Sequence, residues 1–185
     1  MFISDTHLPQ LLPAKAYSDE GWYKQECEKV FHDAWWAIAF SVEFQNDGDF
    51  LTVDLPCGPV VLWQRDGVIR AFLTVCAHRL SRLTSKTKGC CDTLVCEYHG
   101  WEYAASGKTK RIPDAPSFRP LEKDGLGLRP LCVEVVGGIV FVSQIEGSPS
   151  IQSHLGQEET NRLCRRDRHP GRVIYQADLD IPVNW

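Results

Sequence analysis

Two short motifs decide the fold of this chain: Cys76-Ala77-His78 and Cys96-Glu97-Tyr98-His99, with residues 79–95 between them. Each motif is so short that a single hairpin loop must present its Cys/His pair. Two thiolates can bind one iron while two imidazoles bind the other in a mixed-ligand [2Fe-2S] cluster. The same four side chains also satisfy a tetrahedral zinc ion. The motifs alone therefore predict a metal centre and leave both identities open.

The segments around the motifs indicate an antiparallel β domain. Asp66-Gly67 is a two-residue turn whose residues accept positive φ, so its flanks predict a tight hairpin. Gly137-Gly138 gives the same signal further along the chain. Leu94-Val95 leads into the second motif, and 101–103 lead out of it. The other predicted strands are 60–65, 68–73, 133–136 and 139–142.

The flanks of the β domain have different patterns. Ser18 is a candidate N-cap, acids follow it, and apolar residues recur at helical spacing, which predicts one amphipathic helix over 19–33. Residues 144–172 are polar and rich in turn formers, which predicts a connection with a short helix and a boundary near residue 148. Residues 173–179 have the pattern of a further strand. We expect three parts: a helical arm over 1–33, the β domain over 34–148, and a linker with a further segment over 149–185.

Composition argues against several classes of function. The chain has 185 residues, 43% of them hydrophobic, and a net charge of -4, so it can bury a full core. The densest basic run, Arg165-Arg166-Asp167-Arg168, is typical of a solvated face, so we expect no nucleic-acid partner. The longest apolar stretch, 34–40, is too short to cross a bilayer, and the N-terminus shows no export pattern. The sequence predicts a cytoplasmic protein with no membrane contact.

Six further cysteines show no second metal spacing. A free cysteine commonly behaves as a small buried hydrophobe, and an iron-sulfur ligand set favours a reducing compartment, so we expect structural thiols. Cys90 and Cys91 lie close in sequence to Cys96 and stay open as alternative ligands. The six residues are Cys27, Cys57, Cys90, Cys91, Cys132 and Cys164.

The residues around the two motifs carry a family resemblance. The runs Val75-Cys76-Ala77-His78-Arg79 and 96–103, the latter reading Cys-Glu-Tyr-His-Gly-Trp-Glu-Tyr, resemble the cluster-binding signature of Rieske non-haem iron oxygenases, the ring-hydroxylating oxygenase large subunits. These flanking residues favour a [2Fe-2S] cluster over zinc. Many members carry Gly where this chain has Leu80, which bears on the backbone path of the first loop. Further similar segments are Tyr17-Ser18-Asp19, 31–35, Gly48-Asp49-Phe50, Arg70-Ala71-Phe72, Ser106-Gly107-Lys108, Pro113, 138–142 and Asn184-Trp185.

The resemblance implies a fold and a ligand set. The fold is mainly β: an antiparallel Rieske-type β-sandwich with two cluster-binding hairpin loops, plus an N-terminal helix. Cys76 and Cys96 would bind one iron as thiolates, and His78 and His99 would bind the other through ring nitrogens. Around these ligands, we expect hydrogen bonds from Arg79 and packing from Trp101 against the cluster loop.

The resemblance also implies what lies beyond this chain. In the family, a strand ending in Asn-Trp enters a catalytic domain that holds a mononuclear iron, so 149–185 would be a linker and the truncated start of that domain. We expect the mononuclear Fe(II) only in this missing domain, no catalytic residue here, and solvent-exposed His154 and His169. The N-terminal helix would pack on the same domain, so Tyr23, Val30 and Phe31 would lack their usual cover.

The expected function is electron delivery within an oxygenase that hydroxylates or demethylates an aromatic or quaternary-ammonium-like substrate with O2. A ferredoxin or flavin reductase would donate the electron. The acceptor would be the catalytic domain or a neighbouring oxygenase subunit, with His99 facing a carboxylate of that neighbour. The alternatives are a free-standing Rieske ferredoxin-type carrier and, less favoured by the motif context, a zinc-stabilised structural module.

Overall fold

The computed structural model describes residues 12–56, 58–118 and 126–166, with only the backbone of Phe118 and of Arg166. Several sequence predictions lie outside the described residues and therefore remain predictions. They concern Cys57, His169, the strand at 173–179 and the Asn184-Trp185 segment.

The largest element of the described chain is one curled antiparallel sheet of seven strands. The strands are β1 (Trp36–Phe40), β2 (Asp49–Leu55), β3 (Gly58–Arg65), β4 (Val68–Leu73), β5 (Lys88–Cys90), β9 (Pro130–Val136) and β10 (Ile139–Ser143). Their order is β1-β10-β9-β4-β3-β2-β5. A second sheet of three short strands contains β6 (Leu94–Val95), β7 (Glu102–Tyr103) and β8 (Thr109–Arg111). The predicted mainly β, antiparallel fold is confirmed.

Both predicted glycine-containing turns form hairpins. Asp66 and Gly67 have φ values of 55° and 72° and connect β3 to β4, with Arg65 opposite Val68. Gly137 and Gly138 have φ values of 57° and 74° and connect β9 to β10. Positive φ at both central residues matches the right-handed twist of the strands, which is why these dipeptides close such hairpins.

The large sheet buries side chains on both faces, and one of the two cores supports the metal motifs. Along β3, Val60 and Leu62 enter a core with side chains of β4, β9 and β10. Val61 and Trp63 point to the opposite face, as alternation along a strand requires. There they join a second core that also contains Cys76, Cys96 and the three-stranded sheet.

The N-terminal helix differs from the prediction over 19–33. The α-helix α1 covers only Glu20–Glu26, and Asp19, not Ser18, caps it by accepting a 2.8 Å hydrogen bond from the backbone of Trp22. A π-helical turn then spans Cys27–Phe31. Phe31 is only 6% exposed because its ring packs against Trp36, so the expectation that it lacks cover is wrong. Val30 is 53% exposed, as predicted.

The polar connection after β10 contains more helix than predicted. Helix α2 spans Ile151–Arg166 and is broken at Gly156, whose φ of 78° and ψ of 163° are not helical. His154 is exposed, as expected. Short 3-10 turns cover Ala14–Tyr17, Ser41–Glu43 and Ala115–Phe118. Among the described residues, no helix is both long enough and apolar enough to cross a membrane.

Candidate metal centre

The first motif lies on a tight loop that follows β4. The backbone N–H of Cys76 donates to the carbonyl of Ser81 over 2.8 Å, and the N–H of Leu80 donates back to the carbonyl of Cys76 over 3.0 Å. Leu80 has a φ of 58° and is 78% exposed. The loop therefore takes the backbone conformation that glycine favours, even though leucine occupies the position. A left-handed residue of this kind costs about 1–2 kcal/mol.

The second motif lies between β6 and β7 on a loop with the same hydrogen bonds. The N–H of Cys96 donates to the carbonyl of Trp101, and the N–H of Gly100 donates to the carbonyl of Cys96, both over 2.9 Å. Gly100 has a φ of 69° and corresponds to Leu80 of the first loop. The two loops thus present their cysteines in equivalent backbone positions.

The two loops bring all four predicted ligands together, with both sulfurs in the core and the His99 ring at the surface. Cys76 is 0% exposed and Cys96 is 1% exposed. His78 is half-buried, His99 is exposed, and the centroids of their rings lie 4.5 Å apart. The thiols therefore lie in the core, the His78 imidazole is partly covered, and the His99 imidazole is at the surface.

Several donors point at the two sulfurs. The hydroxyl of Tyr103 lies 3.0 Å from Sγ of Cys76, and the hydroxyl of Ser81 lies 3.5 Å from Sγ of Cys96. Burial raises the pKa of the Cys76 thiol. Burial also acts to raise the pKa of Cys96, but hydrogen bonds from Ser81, from backbone N–H groups and from Cys76 outweigh it, and that pKa is lowered. Such donors stabilise a thiolate, which is the form that binds metal.

Tyr103 is fully buried and connects the second sheet to the first loop. Besides contacting the Cys76 sulfur, its hydroxyl accepts a 3.0 Å hydrogen bond from the backbone N–H of Ala77. Burial and the neighbouring Cys76 sulfur raise the pKa of the phenol, so it stays protonated and can donate. Sequence reasoning treated Tyr103 only as a strand residue. Its position in the C-x-Y-H-G-W-E-Y run carries no signal that it contacts the other loop.

The residues expected to support the ligands behave differently from each other. Trp101 is buried and its ring stacks on His78, with centroids 4.9 Å apart and planes 4° from parallel. Burial and the nearby His99 and Arg79 lower the pKa of His78, which favours the neutral imidazole that metal binding needs. Arg79 is exposed, and its guanidinium forms no ion pair among the described residues, so its expected role stays a prediction.

The other described cysteines have surroundings unlike those of Cys76 and Cys96. All seven described cysteines are free thiols. Cys91 packs against the core below the loops, and Cys90 is exposed with its sulfur 3.5 Å from the carbonyl of Asp47. Within the described parts of the chain, no three Cys, His, Asp or Glu side chains are placed to hold a single metal ion, and this includes the two motifs. A [2Fe-2S] cluster needs only two protein ligands for each iron.

The donor set of the two loops fits a two-metal group. Two buried cysteines and two adjacent histidines on separate loops meet the needs of a cluster whose two irons take different ligands. An antiparallel β domain that presents one Cys/His pair on each of two hairpin loops defines an iron-sulfur domain of the mixed-ligand class.

Comparison with known proteins gives the family. The family described as Rieske [2Fe-2S] domain matches residues 34–128. The chain belongs to the Rieske [2Fe-2S] domain family.

Its relatives include oxygenase subunits. It is 32% identical over 179 residues to biphenyl 2,3-dioxygenase subunit alpha of Rhodococcus jostii, covering 94% of this chain and 39% of the relative. It is 30% identical over 175 residues to the glycine betaine monooxygenase oxygenase subunit of Pseudomonas aeruginosa, covering 94% of this chain and 40% of the relative. The chain thus spans about two fifths of the length of these relatives.

Solved structures agree with the fold. The quaternary ammonium Rieske monooxygenase CntA in complex with L-carnitine superposes with a TM-score of 0.76 at 25% identity, covering 83% of this chain and 44% of that one. Naphthalene 1,2-dioxygenase from Rhodococcus sp. bound to indole gives a TM-score of 0.70 at 27% identity, covering 78% and 34% of the two chains. Both neighbours are Rieske oxygenases, and each superposes on more than three quarters of this chain.

Proposed function

We propose that this chain is the electron-relay part of a Rieske oxygenase. In this proposal, Cys76 and Cys96 bind one iron through sulfur, and His78 and His99 bind the other through ring nitrogens. The observation that carries the proposal is the arrangement of the loops, with two buried thiols and two adjacent imidazoles, one half-buried and one exposed. This arrangement separates the anionic ligands from the neutral ones, as a mixed-ligand cluster requires.

Each group of residues has a distinct role in the relay. The bound cluster supplies one-electron redox chemistry, and its imidazole ligands raise the potential above that of an all-cysteine cluster. The hydroxyls of Tyr103 and Ser81 donate hydrogen bonds to the sulfurs and stabilise negative charge there. The buried core below the loops excludes water from the sulfurs, while His99 extends to the surface where a redox partner can approach.

The proposed partners follow from the same relay role. A ferredoxin or flavin reductase would supply electrons. A catalytic domain that holds the mononuclear iron, in the same polypeptide or in a neighbouring subunit, would accept them near His99. The names of the relatives give an aromatic compound and glycine betaine as their substrates. We therefore propose an aromatic or quaternary-ammonium-like substrate for the whole oxygenase. The seven free thiols support operation in a reducing compartment such as the cytoplasm.

Anaerobic purification followed by metal analysis and absorption spectroscopy tests the proposal. We expect about two irons and about two acid-labile sulfides per chain, with visible absorption that bleaches on reduction. Cys76→Ser and Cys96→Ser should each abolish the colour, whereas Cys90→Ser and Cys91→Ser should retain it. A colourless chain that purifies with zinc would overturn the proposal in favour of a structural zinc module.

A second experiment separates the relay from a free-standing carrier. The reduced chain is mixed with a relative's oxygenase subunit from which the Rieske cluster has been removed, and electron transfer is followed by reoxidation of the visible spectrum. Reoxidation that depends on the added subunit supports the oxygenase relay. Efficient reduction by a reductase with no transfer to any oxygenase subunit supports the ferredoxin-type carrier.

A further inference from the structure

The side chain of Glu97 joins the two ligand loops. Its carboxylate accepts hydrogen bonds from the hydroxyl of Thr84 over 2.6 Å, from the backbone N–H of Ser85 over 3.2 Å and from the hydroxyl of Ser85 over 3.2 Å. Its backbone N–H donates to the carbonyl of Leu83 over 3.0 Å. Four hydrogen bonds from one residue of the second loop therefore reach the segment that closes the first loop.

The position of Glu97 makes these bonds important for metal binding. It directly follows Cys96 and lies between that cysteine and His99. In the proposed ligation each iron takes one ligand from each loop, because Cys76 and Cys96 share one iron while His78 and His99 share the other. The distance between the loops then sets the distances within both ligand pairs. A clamp between the loops fixes that distance before the cluster is inserted.

Glu97 also places a negative charge on the second loop, one residue after the ligand Cys96. Its carboxylate lies on the loop of Cys96, and the cation that acts on it is Lys86, on the other side of the clamp. A carboxylate near the cluster opposes the addition of an electron, because reduction makes the cluster more negative. The clamp and the charge are properties of the same side chain, but they respond to different substitutions.

We propose that Glu97 is a positioning residue that clamps the two ligand loops at the spacing the cluster needs and lowers its reduction potential by its charge. This inference rests on the proposed function, since it concerns the cluster that the loops would bind. The sequence analysis named Glu97 only as a member of the second motif. A hydrogen bond across two loops leaves no pattern in the sequence.

Three variants separate the clamp from the charge. Glu97→Gln keeps a side chain of the same shape, with an oxygen for the Ser85 N–H, and removes the charge. The double variant Thr84→Val with Ser85→Ala keeps the charge and removes the two hydroxyl donors. Glu97→Ala removes both functions. Glu158→Gln, an exposed acid on α2, is the control that changes the net charge by the same amount without contact to the loops.

The proposal is tested by the reduction potential and the rate of cluster loss in the holo protein, and by amide hydrogen exchange in the apo protein. For Glu97→Gln we expect the equilibrium constant for reduction to rise about fivefold, which is ~40 mV for a one-electron couple, with little change in cluster loss. For the double variant we expect cluster loss to a chelator about tenfold faster with a nearly unchanged potential. Glu97→Ala should show both effects, and Glu158→Gln neither.

Amide hydrogen exchange in the apo protein gives the third measurement. Exchange at Ser85 should be at least tenfold faster in Glu97→Ala than in the wild type, because the carboxylate that accepts from this N–H is gone. If Glu97→Ala leaves Ser85 exchange, cluster loss and potential all within twofold of the wild type, the proposal is wrong. A wild-type chain that binds no iron would instead overturn the proposed function, and apo exchange at Ser85 would still decide whether the clamp exists.

Discussion

The hydroxyl of Tyr103 offers the sharpest single-atom test of the metal centre. Tyr103→Phe removes one oxygen from a fully buried ring and leaves the packing of the core otherwise unchanged. That oxygen lies 3.0 Å from Sγ of Cys76 and 3.0 Å from the backbone nitrogen of Ala77. Once Cys76 is a thiolate, the hydroxyl donates to its sulfur.

The expected shift follows from the strength of this hydrogen bond. A hydrogen bond to a charged acceptor contributes about 1.5–3 kcal/mol. The hydrogen bond strengthens when reduction adds negative charge to the cluster. If about a third to a half of its free energy depends on the redox state, it stabilises the reduced form over the oxidised form by about 1 kcal/mol. For a one-electron couple this equals ~40 mV, so Tyr103→Phe should have a reduction potential lower by about that amount.

A redox titration followed by visible absorption measures the effect. Tyr98→Phe is the matched control, because Tyr98 belongs to the second loop but is 61% exposed, and no hydrogen bond to a sulfur involves its hydroxyl among the described contacts. We expect the control to stay within ~10 mV of the wild type, well below the shift for a lost sulfur hydrogen bond. A Tyr103→Phe protein with an intact cluster and an unchanged or higher potential would refute the assigned role of this hydroxyl.

Three further predictions concern the loops and the turn beneath them. Ser81→Ala should lower the potential by less than half the Tyr103→Phe shift, because its contact to sulfur is longer at 3.5 Å; an equal or larger shift in the same titration would contradict this. Leu80→Gly should raise the free energy of unfolding in urea by about 0.5–1 kcal/mol, because it relieves a φ of 58° at an exposed side chain; a destabilised variant would show that the leucine side chain has a stabilising contact. Gly107→Ala should lower the free energy of unfolding by about 2–4 kcal/mol, because its Cβ would lie 2.5 Å from Cε1 of Phe72. Gly67→Ala, also at positive φ but with open space around it, should lower it by only about 1 kcal/mol. Equal losses of stability would mean that backbone strain alone governs both variants.

The parts of the fold that sequence predicted correctly are those with local causes. Asp66-Gly67 and Gly137-Gly138 form the expected hairpins because positive φ at both central residues is a property of the dipeptide itself. Each Cys/His pair lies within three or four residues, so one loop presents both members, whereas the assignment of both pairs to one centre came from the family resemblance. Leu80 shows the limit of such reasoning, since the loop imposes a positive φ on a residue that does not favour it.

The parts that sequence missed depend on contacts between distant segments. The π-helical turn at Cys27–Phe31 replaces the end of the predicted helix, where Phe31 turns onto Trp36. Helix α2 was underestimated because its sequence is polar; it packs on β9, and Glu134 of β9 accepts from the N–H of Ile151 at its start. Tyr103 and Glu97 were missed because each acts on a loop that is remote in sequence.

Nitrogen hyperfine spectroscopy of the reduced protein is the most direct test of the mixed Cys/His ligation. Paramagnetic resonance of a chain labelled with 15N-histidine detects each imidazole that binds the cluster, and His154→Gln is the control for an exposed histidine. Ligation by two histidines predicts coupling to two histidine nitrogens in the wild type and in His154→Gln. In His78→Cys or His99→Cys, one coupling should be lost while the cluster is retained. A paramagnetic cluster with no histidine coupling, or a protein with no signal and bound zinc, would contradict the mixed Cys/His ligation on which the whole account rests.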